Sequence, residues 1–184
     1  MKKVLLSAVA IFAFGFANAQ ETKFGIKAGL NMANLSGDID DTSMKAGLHV
    51  GAFAEIKISD KFAVQPEVLF SMQGAKVDGG DYAFNYLNIP VMAKFFVTEQ
   101  FSLEAGPQIG FLMSAKANPD EGDSVDVKEF LTSTDFGLNV GLGYDFTENF
   151  TAGLRYNLGL SNISDEDNGD IKNNVFSVSV GYKF

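Results

Sequence analysis

The chain has 184 residues, 46% hydrophobic and 20% charged, with a formal net charge of −9, 18 phenylalanines, 19 glycines and no cysteine. A chain this acidic lacks the clustered Lys and Arg that neutralise phosphates, so nucleic acid is excluded as a partner. Without cysteine there are no disulfides, no Cys-ligated zinc and no iron–sulfur cluster.

Lys2 and Lys3 form a basic start, an apolar run extends from Val4 to Ala17, and Ala17-Asn18-Ala19 puts small residues at cleavage spacing. This predicts a secretory signal peptide over 1–19, cut before Gln20, and one barrel domain over 20–184. The run is shorter than the ~20 apolar residues of a spanning helix, and Gly15 and Asn18 break it. Removing Lys2 and Lys3 takes the formal charge from −9 to −11. No later stretch is long and apolar enough for such a helix, so membrane residence would have to come from strands.

A first strand is expected over Lys23 to Met32, with Phe24, Ile26, Ala28, Leu30 and Met32 on one face. Three short turns then recur with similar flanks: Ser59-Asp60-Lys61 before Phe62, Thr98-Glu99-Gln100 before Phe101, and Thr147-Glu148-Asn149 before Phe150. Centring hairpins on Asp60, Glu99 and Glu148 predicts cross-strand pairs that are apolar on both sides. Around Asp60 these are Ile58–Phe62, Ile56–Val64, Ala52–Val68 and Leu48–Met72. Around Glu99 they are Val97–Phe101, Phe95–Leu103, Ile89–Ile109 and Leu87–Phe111. Around Glu148 they are Phe146–Phe150, Leu142–Leu154 and Leu138–Leu158. A one-residue slip would send each set to the other face, so the agreement fixes the register. A last strand runs from about Val175 to Phe184, with Phe176, Val178, Val180, Tyr182 and Phe184 on one face.

The sum is an all-β, eight-stranded, antiparallel up-and-down transmembrane β-barrel with both termini at the short-turn end. A soluble barrel would hide the apolar face inside. Here that face is too bulky for an eight-stranded interior, whereas the opposite face is rich in glycine. The apolar face is therefore assigned to lipid, and the aromatics near the short turns to an interfacial girdle. Phe53, Leu69 and Leu112 resist this scheme by falling inside. Pro66, Pro90 and Pro107 lie within strands and predict at least one nearby bulge or break.

Counting from the short turns, Lys27, Lys94 and Arg155 and Glu55, Glu67 and Glu104 fall at one depth inside. Lys94 should pair directly with Glu104, and Arg155 should face Gly141. Such a balanced set can pair internally and close the lumen. His49, the only histidine, should face Ser71 near the long-loop end. A His–Ser pair could mark acyl transfer, but no inward carboxylate is expected at that height to orient it.

The long loops are acidic: Asp38, Asp40 and Asp41; Asp78 and Asp81; Asp120, Glu121, Asp123 and Asp126; Asp165, Glu166, Asp167 and Asp170. The last group misses the calcium-loop spacing, because Gly169 stands where a ligand belongs. These are read as solvated loops, and no metal or other cofactor is expected.

Phe24-Gly25-Ile26-Lys27-Ala28-Gly29-Leu30-Asn31, Gln65-Pro66-Glu67-Val68-Leu69-Phe70-Ser71, Leu87-Asn88-Ile89-Pro90-Val91 and Gly106-Pro107 resemble signatures of the small porin-family outer-membrane β-barrel proteins of Gram-negative bacteria. The closing Gly181-Tyr182-Lys183-Phe184 is similar to the terminal aromatic signal read by outer-membrane assembly machinery. The resemblance implies an outer-membrane location and this fold, and it carries no catalytic residues. The expected partners are the outer-membrane bilayer and, through Phe184, the assembly machinery, with a monomeric state and an open question over the loops. The expected role is structural or surface-interactive, behind a closed lumen and without enzymatic activity. The alternatives are a narrow porin-like channel for small solutes or cations, and an outer-membrane lipid-modifying enzyme using His49 and Ser71.

Overall fold

Eight long strands, each hydrogen-bonded to the next, close into a barrel in the computed structural model, which describes residues 21–39, 41–164 and 169–184. The expected signal peptide over 1–19 lies outside the described residues, as do Asp40, Asp165, Glu166 and Asp167 of the acidic loops. The strands are β1 (Thr22–Gly37), β2 (Ser43–Ser59), β3 (Phe62–Val77), β4 (Gly80–Phe96), β5 (Phe101–Pro119), β7 (Thr134–Asp145), β8 (Phe150–Gly159) and β9 (Ile171–Lys183). A two-residue strand, β6 (Val125–Asp126), and a 3-10 turn over Lys128–Phe130 decorate the β5–β7 connection. Neighbours pair in antiparallel order, and β1 against β9 completes the ring.

Most of the expected register is present. Ile56 pairs with Val64 and Ala52 with Val68. Phe95 pairs with Leu103, Ile89 with Ile109 and Leu87 with Phe111. Leu142 pairs with Leu154 and Leu138 with Leu158. The two Thr-Glu turns are built alike. The Thr98 hydroxyl oxygen accepts the Phe101 N–H at 3.0 Å, and that of Thr147 accepts the Phe150 N–H at 2.9 Å. The first turn differs. The register shifts between Lys57 and Ser59, so Ser59 rather than Ile58 pairs with Phe62. A second shift, between Met44 and His49, ends the simple hairpin register at His49–Ser71, so the expected Leu48–Met72 pair is not among the register pairs.

Two of the strand prolines bring the expected local breaks, without a bulge. The β3–β4 ladder lapses between Pro66 and Leu69, and the β4–β5 ladder between Pro90 and Ala93, yet both resume in the same register. The missing proline N–H thus interrupts pairing without adding a residue. The third register shift falls at Asn85 and Tyr86, away from any proline.

The apolar face points outward. Ile26, Leu30, Val68, Leu103, Val140, Leu142 and Val180 are all exposed, whereas Glu55, Glu67 and Lys94 are 1–2% exposed. Only a lipid surround makes that distribution favourable, since water would penalise a continuous apolar belt. Around the short-turn end, Tyr144 meets Phe146 and Phe150 meets Tyr182 edge to face, each pair with centroids 5.0 Å apart. Aromatic rings clustered at this end suit an interfacial girdle, with the Tyr144 and Tyr182 hydroxyls supplying its polar tips.

Toward the long loops the polarity reverses. On β1 the outward row Ile26, Leu30, Met32 gives way to Asn34 and Ser36, while the inward row Lys27, Asn31 gives way to buried Ala33 and Leu35. On β4 outward Leu87 gives way to Asn85, while inward Asn88 gives way to buried Tyr86 and Phe84. Leu35, Ala75, Phe84, Tyr86, Leu112, Ala115 and Ile163 form one apolar cluster there. The strands therefore run on past the bilayer, where water outside demands an ordinary apolar core inside. This is why Leu112 points inward.

Candidate functional site

The lumen holds two polar storeys below that apolar cap. The lower storey is built from charges supplied by six strands, because inward positions at matching depth must fill the narrow axis. Arg155 on β8 donates through Nη1 and Nη2 to both oxygens of Glu67 on β3, at 3.0 and 2.9 Å. Lys27 on β1 reaches the same carboxylate at 3.2 Å. Arg155 also bridges to Glu104 on β5 at 3.1 Å. Lys94 on β4 stands 3.5 Å from Glu104 and 2.7 Å from Glu55 on β2. All six residues singled out in the sequence are thus brought together.

Two further residues extend the chain of charges to the mouth at the short-turn end. Lys183 on β9 pairs with Glu55 at 3.0 Å and with Asp145 on β7 at 2.9 Å. Four cations and four anions alternate along the resulting path: Lys27, Glu67, Arg155, Glu104, Lys94, Glu55, Lys183 and Asp145. A signal for both additions existed. Lys183 lies between outward Tyr182 and Phe184, and Asp145 between outward Tyr144 and Phe146, so strand alternation sends both inward. Tyr182 and Phe184, expected from the sequence to carry an assembly signal, are on the lipid face, with Phe184 72% exposed.

Small and aromatic residues shape this storey. A Cβ at Gly143 would stand 2.6 Å from the nearest Glu104 carboxylate oxygen, so glycine there leaves room for the carboxylate. Gly141 pairs with Arg155 as expected. Inward Phe53 lies under Lys27, with the ammonium 5.9 Å from the ring centroid, and Phe96 lies 5.5 Å from the Lys94 ammonium. A cation over an aromatic face gives Phe53 a reason to be inside.

The upper storey is a lattice of amides and hydroxyls. His49 and Ser71 are register partners, but their hydrogen bonds go elsewhere. His49 Nδ1 lies 2.8 Å from Asn31 Oδ1. Ser71 Oγ accepts from Asn31 Nδ2 at 3.0 Å and from Gln73 Nε2 at 2.9 Å. Asn157 donates to Asn139, and Asn139 to Gln108. An inward carboxylate missed in the sequence, Asp135, is buried near the cap, where Ser161 Oγ donates to it at 2.9 Å. Among the described residues it forms no hydrogen bond or ion pair with His49. A nucleophilic serine needs a base at hydrogen-bond distance and a group orienting that base. Here an amide holds the imidazole.

Space is scarce along the axis. A cavity of about 30 Å³ lies above the charge layer, lined by His49, Ser71, Asn139 and Arg155 among others. Another of about 20 Å³ lies below, lined by Phe53, Lys94 and Glu104. Lys27 and Arg155 line both, so their side chains form the partition. Beyond Lys183 a vestibule of about 530 Å³ opens between the short turns. Among the described residues, no group of three or more His, Cys, Asp or Glu is placed to hold a metal ion.

Residues 17–165 match the family described as outer membrane protein beta-barrel domain. Among solved structures, the crystal structure of Neisserial surface protein A, NspA, is similar with a TM-score of 0.66 and 15% identity, over 89% of this chain and 99% of that one. Ail, the attachment invasion locus protein of Yersinia pestis, solved with the heparin analogue sucrose octasulfate, is similar with a TM-score of 0.55 and 20% identity, again over 89% and 99%. At these identities the likeness is one of fold. No curated protein matches the chain in sequence.

Proposed function

Because the chain belongs to the outer membrane protein beta-barrel domain family, we propose that it is a closed outer-membrane barrel whose task is to hold and present its acidic outer loops. The observation that carries this reading is the partition made by Lys27 and Arg155, both clamped on Glu67, between two cavities of about 30 and 20 Å³. A hydrated ion passing through would have to break a bidentate, nearly dry ion pair. Doing so exposes uncompensated charges in a site of low polarisability, at a cost of several kcal/mol, on the order of 3–5. Above it the apolar cap is a second barrier, chemically unlike the first. In this reading the leader over 1–19 directs export, Phe184 is read by the assembly machinery, and the barrel works as a monomer without enzymatic activity.

The loops set the kind of surface partner. Ail was solved with a polysulfated sugar. Asp120, Glu121, Asp123 and Asp126 on the β5–β7 connection would repel such a polyanion, so a neutral or cationic partner suits this chain. Planar-bilayer recording on the purified barrel is the test. Quiet membranes at ±100 mV are expected, and reproducible steady conductance steps would defeat the closed reading.

A second reading, a narrow channel for small cations, draws support from one observation. The Lys94–Glu104 contact, at 3.5 Å, is the loosest joint of the charge path, and the vestibule reaches up to that path through Lys183 and Glu55. Cation-selective steps in the same recordings would favour it.

A further inference from the structure

At the long-loop end, beside the apolar cap, lies a pocket of about 320 Å³. We propose that it binds a small hydrophobic organic cation, such as an aryl or alkyl quaternary ammonium. Its walls include Leu35, Tyr82, Phe84, Phe130, Leu131 and Ile163. The volume lies at the small end of the range for small-molecule sites, ~300–1,000 Å³. Tyr82 and Phe84 stand stacked with centroids 6.2 Å apart, and Phe130 closes the side as a 49% exposed ring on the 3-10 turn. Three aromatic rings around an apolar space are the recognised chemistry for a weakly hydrated cation, through attraction to the ring faces.

The charges flanking the walls are mixed. Residues adjacent in sequence to the pocket walls include Asp38, Asp81, Asp126, Glu129 and Asp170 against Lys128 and Lys172. Lys172 is paired with Asp170 at 2.9 Å, and Lys45 with Asp81 at 2.6 Å. The Lys128 ammonium donates to the Met113 carbonyl at 3.0 Å. Asp38, Asp126 and Glu129 have no ion pair among the described residues. Lys76 is the register partner of Asp81 and Lys116 that of Asp126, so the choice of a cation rests on the aromatic walls, with Asp38 and Glu129, outside any ion pair among the described residues, adding to it. The site does not depend on whether the lumen conducts, because the apolar cap and the amide storey separate it from the charge layer.

The test is isothermal titration of the full barrel in zwitterionic nanodiscs, with empty discs subtracted. The probes are phenyltrimethylammonium, its uncharged isostere tert-butylbenzene, and benzenesulfonate. Saturable one-to-one binding of the cation is expected, with the isostere about tenfold weaker and the sulfonate inert. Phe130→Ala should weaken the cation about tenfold, and Glu129→Gln about two- to threefold with a flatter salt dependence. Both residues are exposed, and heat-modifiable gel mobility verifies that each variant is folded. Absence of saturable binding, equal binding of the uncharged or anionic probe, or indifference to both substitutions in folded protein would overturn the proposal.

Discussion

Arg155 and Glu67 lie 88 residues apart in sequence, yet they meet across the lumen in a two-pronged ion pair with bonds of 3.0 and 2.9 Å. β3 and β8 are not neighbours in the sheet, so only closure of the barrel brings them together. The pair is a staple through the axis, and Lys27 and Gln65 hold the same carboxylate from the sides. Its energetic meaning is asymmetric. Intact, it roughly offsets the desolvation of its members, but broken it leaves charge stranded.

Glu67→Gln keeps the shape and removes the charge that faces both Lys27 and Arg155. It should lower the unfolding free energy by about 3–5 kcal/mol. Urea titration in lipid vesicles, followed by folded-to-unfolded gel mobility, measures this. A change below about 1 kcal/mol would mean that water reaches the site and screens it.

Arg155→Ala removes one of the two side chains that partition the lumen cavities, leaving Lys27 on Glu67. A barrel that is silent in planar bilayers should then leak, with small cation-selective currents, because Glu67 and Glu104 lose a shared counter-charge. Continued silence with a folded barrel would locate the main barrier in the apolar cap.

Lys183 and Phe184 separate stability from outward display. Lys183→Met leaves Asp145 without its ion pair and Glu55 with Lys94 alone. A loss of about 1.5–3 kcal/mol is expected, the scale of a charged hydrogen bond. Phe184→Ala, at a 72% exposed position, should change in-vitro stability by less than about 1 kcal/mol. In cells the order should reverse, with Phe184→Ala reducing the amount of barrel inserted. Equal cellular levels of both variants would count against an assembly role for the terminal ring.

Lipid contact predicts a depth-dependent penalty. Val140 faces outward midway along β7, and Phe146 faces outward beyond its short-turn end. Val140→Lys should cost about 2–4 kcal/mol and Phe146→Lys about 0–1 kcal/mol, because a charge near the interface reaches water. The same vesicle titration compares them, and equal penalties would contradict the assigned bilayer depth.

His49→Ala should leave the lipid composition of the host membrane unchanged, as checked by mass spectrometry. The imidazole serves Asn31 Oδ1, and its loss should cost about 1–3 kcal/mol through an unsatisfied buried acceptor. Altered acyl chains on the outer leaflet would revive the lipid-modifying alternative.

Much of this was legible from local pattern. Leu142 opposite Leu154, Ile89 opposite Ile109 and His49 opposite Ser71 follow from alternation plus turn position. Hairpin register propagates along two strands from one turn, so a sequence can be folded back on itself by counting. The count failed where an extra residue entered, at Ile58 and again between Met44 and His49, because a bulge has no reliable composition. It also stopped too early. Alternation of apolar residues marks only the bilayer-spanning part, so the reversal of polarity past Met32 reads as the end of the first strand, although β1 continues to Gly37.

The sequence by itself determined the two faces, the antiparallel order and the membrane as solvent, since each follows from period-two contrast between neighbours along the chain. Which charges touch which was decided by the tertiary structure. Lys94 is the register partner of Glu104, yet its shortest bond, 2.7 Å, goes to Glu55, while Glu67 is claimed from across the lumen. Those contacts depend on the tilt and stagger that close eight strands into one ring, a property of the whole sheet that no single hairpin contains.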